Sequence, residues 1–145
     1  MNPDSAQLIE SVSLPDCQVL SAVQAEAMQA MVEATIEAFS GTVTPRMLYR
    51  AGGRWATLDF ASNVDEARMA LKVRSADAAV TVVVGDVEDH EGFDRAIVVL
   101  AEDREGARVA LIAPYRDLGD GHVAFKDPEL PVEVEAAAFP RLLAA

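Results

Sequence analysis

The sequence predicts an α+β fold from three observations. These are a long apolar stretch rich in Ala and Met near its start, a Gly-Gly pair between two period-two segments, and later β-branched runs separated by polar turns. In order, the expected elements are a long N-terminal helix, a β-hairpin, a short helix and an antiparallel three-stranded meander. Together they form one mainly antiparallel sheet covered by helices on one face. Residues 1–13 read as a flexible arm and 14–145 as a single domain, a size at which one core suffices without disulfides or metal.

The helix is expected over Leu14–Ser40, with Ser13 as its cap, Pro15 and Asp16 in its first turn, and Gly41 as its stop. It carries two apolar stripes. Leu20, Val23, Ala27, Ala30, Met31, Ala34 and Ala38 fall on one side, and Ala25, Met28, Val32, Ile36 and Phe39 on another, leaving Glu26, Gln29, Glu33 and Glu37 as a narrow wet strip. The larger side chains of the second stripe suit packing on a sheet. The small residues of the first would let another helix approach closely, which makes that stripe the expected interface with a second chain.

Residues 46–51 and 54–60 form the hairpin, with Gly52-Gly53 as its two-residue turn. If Ala51 pairs with Arg54, one face carries Met47, Tyr49, Ala56, Leu58 and Phe60, which is the expected core face. The other carries Arg46, Leu48, Arg50, Trp55, Thr57 and Asp59. Ser62 or Asn63 caps a short helix over 64–74, although alternating Met69, Leu71 and Val73 also permit a strand. Residues 78–84 read as a central strand buried on both faces, and 94–101 and 107–113 as two further strands, the second ended by Pro114. His122 to Phe125 reads as a short edge strand and Glu133 to Phe139 as a short terminal helix.

Twelve Lys and Arg against 24 Asp and Glu give a formal charge of -12, which argues against nucleic acid and anionic membranes as partners. No apolar run is long enough to span a bilayer. The single cysteine, Cys17, forms no internal disulfide and agrees with a reducing, cytoplasmic setting in a prokaryote-like chain. A basic island stands out: residues 41–76 hold six bases and only three acids.

Catalytic signatures are lacking. The sequence contains no G-x-S-x-G elbow, Walker loop, G-x-G-x-x-G or C-x-x-C, so the reading leans away from an enzyme, and no cofactor is expected. The acidic run from Asp86 to Glu91 fits a solvated connection better than a metal site, because its spacing matches no ligand pattern. Cys17 lacks a basic neighbour to activate it and reads as structural.

The most specific ligand candidate is the face with Arg46, Arg50 and Trp55, where a guanidinium holds an anion while the indole stacks on a ring. The plainer reading pairs Arg46 with Asp59 and lays Arg50 on Trp55 as a surface contact. The expected function is therefore a non-enzymatic protein-interaction or regulatory module that self-associates as a homodimer, or binds a partner protein, through its long helix. The alternative is a small-molecule binding or sensory domain using the Arg46/Arg50/Trp55 face.

Overall fold

In the computed structural model, the described residues are 22–60, 63–87, 91–126, 132–134 and 140–143. They form helices α1 (Ala22–Ser40) and α2 (Val64–Val73). The strands are β1 (Arg46–Ala51), β2 (Arg54–Leu58), β3 (Ala78–Asp86), β4 (Arg95–Asp103), β5 (Arg108–Gly119), β6 (His122–Phe125) and β7 (Val132–Val134). All pairings are antiparallel, in the order β2-β1-β3-β4-β5-β6, and β7 joins the same outer side of β5 as β6. The α+β class stands. The arm, the expected helix start at Leu14, Cys17 and Leu20 lie outside the described residues.

The hairpin takes the register that its sequence dictates, with Ala51 opposite Arg54, Arg50 opposite Trp55 and Met47 opposite Leu58. Gly52 and Gly53 both adopt positive φ, 59° and 75°, which a two-residue turn of this twist demands. β1 then pairs with β3 on its other edge, so the hairpin is part of the main sheet.

The helices lie on opposite faces of this sheet, which corrects the expectation that they share one. α1 packs with Val80, Val82, Ile97, Val99, Leu111 and neighbours, whereas α2 covers Met47, Leu58 and Ala79 from the other side. The cause is visible in β3: Ala78, Val80 and Val82 point to α1 while Ala79 is equally buried beneath α2. A strand apolar on both faces needs two covers. The hairpin likewise buries Met47 and Leu58 on one face and packs Leu48 and Trp55 into the α1 core on the other.

Residues 64–73 are helical. The Asn63 side-chain Oδ1 accepts from the Glu66 N–H at 2.8 Å, Asp65 and Glu66 sit at the positive end, and Ala67 and Leu71 share the buried side. The alternation that suggested a strand arises because Met69 and Val73 are exposed.

Two further expectations are corrected. β5 runs through Pro114 to Gly119. The Pro114 carbonyl accepts from Lys126 N on the side away from β4, so the absent N–H faces that outer edge and removes no bond to β4. Residues 132–134 form β7 opposite Ile112 to Ala110, where a short helix was expected to begin at Glu133. Residues 135–139 lie outside the described set.

Candidate functional site

α1 sits on the sheet through its small residues. Val23, Ala27, Ala30, Met31, Ala34 and Ala38 are all buried in the core shared with β3, β4 and β5. This placement reverses the expected roles of the two stripes. Alanine lets a helix backbone approach a flat sheet as readily as it lets it approach another helix, and here the sheet occupies that side. With that packing in place, none of these six side chains is available to a second chain.

The second stripe faces outward instead. Met28 is 40% exposed, Val32 56%, Ile36 61% and Phe39 56%, arranged along one side of three turns. Phe39 continues the surface onto the sheet edge: its ring lies 5.4 Å from Phe125, which in turn lies 5.4 Å from the buried Tyr115. By helical angle, Gln29 borders the stripe on one side with Glu33 and Glu26 beyond it, Thr35 and Gln24 lie on the other, and α1 contains no Lys or Arg.

The hairpin residues Arg46, Arg50 and Trp55 share the α1 face of the sheet, as their spacing requires. Each arginine already has an internal carboxylate. Arg46 Nη1 donates to Glu37 Oε1 at 2.9 Å, and Nη2 lies 2.7 Å from Oε2. Arg50 Nε donates to Asp77 Oδ1 at 2.9 Å, and its guanidinium sits 5.7 Å from the Trp55 ring centre. Asp59, proposed from sequence as the Arg46 partner, takes no part in this pairing. An anion entering here displaces Glu37 or Asp77.

Partial burial raises the pKa of Glu37, but the Thr44 N–H and the Arg46 guanidinium outweigh it and hold the carboxyl below its ordinary range. Glu37 thereby ties the end of α1 to the start of β1.

Sequence reasoning missed a second polar centre. Glu102 is buried on β4, where its Oε1 accepts from Leu142 N at 2.7 Å and its Oε2 from Leu143 N at 3.4 Å, with Arg141 Nε 3.7 Å away. Arg141 also donates to the carbonyls of Asp103 and Leu143. This clasp fixes residues 141–143 against the sheet, with Leu143 buried beside α2. Its partners lie about forty residues apart, so no local spacing announces it.

Among the described residues, no helix is long and apolar enough to cross a membrane. No group of three or more His, Cys, Asp or Glu side chains among them is placed to hold a metal ion. Comparison with known protein families, curated proteins and solved structures found no match to this chain.

Proposed function

We propose that this chain is a non-enzymatic protein-interaction module. Its docking surface is the outer stripe of α1, and its partner presents an amphipathic helix with Lys or Arg beside its apolar side chains. The observation that carries the reading is the alignment of Met28, Val32, Ile36 and Phe39 on the solvent side of a helix whose other side is filled by its own sheet. Aligned apolar side chains at helical spacing are the pattern by which one helix receives another.

Area and charge choose the partner. The exposed apolar surface of these four side chains is on the order of 400 Å², about half of what each member of a stable complex usually buries. That favours a reversible partner over an obligate dimer. Glu33 and Glu26 lie beyond Gln29 on one flank of the stripe, and the chain carries a net charge of -12. A second copy in antiparallel packing brings an identical acidic flank alongside, whereas a basic helix gains attraction there. The lone cysteine agrees with a cytoplasmic setting.

The test pairs sedimentation with fluorescence-anisotropy titration against a synthetic amphipathic Leu/Lys helix. The proposal expects a monomer at micromolar concentration that binds the peptide, and binding weakened at least tenfold by Val32→Ser with Ile36→Ser. These substitutions change no charge, so they separate apolar docking from general attraction to an acidic protein. Unchanged affinity in the double variant refutes the assigned surface. A tight wild-type dimer that the same variant dissociates assigns the stripe to a second copy and refutes the basic partner.

A further inference from the structure

On the sheet face opposite α1 a cavity of about 240 Å³ opens between the first turns of α2, the sheet and the segment around Leu142. Its floor includes Thr81 and Leu100, and its walls include Phe60, Val64, Ala67 and Leu142. We infer that it is a binding site for a small, neutral, predominantly apolar molecule that carries one hydrogen-bonding oxygen. The site is separate from the α1 stripe, so either assignment stands without the other.

Size sets the first limit. A cavity of roughly 150 Å³ with an apolar lining admits benzene, so this one holds a molecule of about ten non-hydrogen atoms. Phe60, 46% exposed beside the cavity, provides an aromatic surface at its edge.

Charge sets the second limit. The lining includes one carboxylate and one guanidinium, Glu102 and Arg108, which stand opposite each other on β4 and β5. Both Glu102 oxygens already accept backbone N–H groups, and the remaining lining is mostly apolar. An ion leaving water for this mostly apolar space loses hydration that Glu102, already engaged by two N–H groups and Arg141, does not replace.

The polar handle is Thr81. It sits between Met47 of β1 and Leu100 of β4, and its Oγ1 is buried without a hydrogen-bond partner among the described residues. A buried hydroxyl without a partner is uncommon. Turning it towards the cavity breaks no hydrogen bond, and a ligand oxygen there supplies the missing one.

The experiment titrates isotope-labelled protein with 2-phenylethanol and, separately, with phenylacetate, which has the same skeleton and a negative charge. The alcohol is expected to produce saturable shifts at millimolar concentration in Val64, Ala67, Thr81 and Leu100, with ring-to-methyl NOEs to Leu100. Phenylacetate is expected to bind at least tenfold more weakly. Ala67→Leu fills the cavity from α2 and Leu100→Phe fills it from the sheet. Each is expected to abolish the alcohol's shifts, so loss of fold in one leaves the other to decide. Equal affinity for the carboxylate overturns the neutral class. Shifts that do not saturate, lie elsewhere, or survive in a folded filling variant overturn the site.

Discussion

Substituting the two sides of α1 in turn separates the inner stripe from the outer one. Ala34 is 0% exposed in the core that α1 shares with the sheet, so Ala34→Leu forces three additional carbons into occupied space. Such overpacking costs about 1–3 kcal/mol, and lowers the melting temperature by roughly 2–4 °C per kcal/mol in a domain of this size. Ile36, two residues further and 61% exposed, sets the contrast. Ile36→Ala removes a solvated side chain and improves helix propensity, so its effect lies within about 0.5 kcal/mol. Urea titration followed by circular dichroism reads both variants on one scale. A neutral Ala34→Leu together with an Ile36→Ala that loses more than about 2 kcal/mol refutes the orientation of α1 and, with it, the docking surface.

Three further outcomes follow from individual contacts. Glu37→Gln is expected to cost about 0.5–1 kcal/mol at neutral pH, a modest figure because the Glu37 side chain is a third exposed. The Glu37 pKa is lowered by folding, so its contribution is complete above the ordinary value of 4.5 and fades as pH falls through the folded value. Wild type and variant therefore converge in acid, and a constant gap across pH contradicts the ion pair. Thr81→Val replaces an unpartnered buried hydroxyl by a methyl of similar shape, and is expected to be neutral or stabilising by up to about 1 kcal/mol; calorimetry showing a clear loss reveals a hydrogen bond at Oγ1. Glu102→Ala leaves the Leu142 and Leu143 N–H groups and Arg141 without their acceptor, at a cost of about 2–4 kcal/mol in thermal unfolding.

The hairpin register was legible because two constraints act together, although β2 ends at Leu58, short of the expected Phe60. Gly52-Gly53 fixes the loop length, and the period of two then assigns every side chain to a face. The apolar run of β3 marked a strand buried on both faces, yet the helices were expected on one face of the sheet and cover both. The sides of α1 were not legible. Hydropathy marks both stripes as apolar, and small residues serve close approach to a sheet or to a helix equally well, so only the folded sheet decides which side it takes. The partners of the hairpin arginines were hidden for a different reason: Glu37 and Asp77 lie 9 and 27 residues away and reach them only through tertiary packing. The same holds for the cavity, whose walls come from Phe60, α2 and the segment around Leu142.

The claim on which the rest depends is that α1 turns its small residues inward and its larger apolar residues to solvent. Thiol labelling tests it most directly, in a Cys17→Ser background that removes the native cysteine. Val32→Cys and Ile36→Cys are predicted to react with a soluble disulfide reagent at rates close to that of a free thiol. Ala27→Cys and Ala34→Cys are predicted to react only as fast as the protein opens. Fast labelling at 27 and 34 with protection at 32 and 36, in the folded protein, contradicts the account.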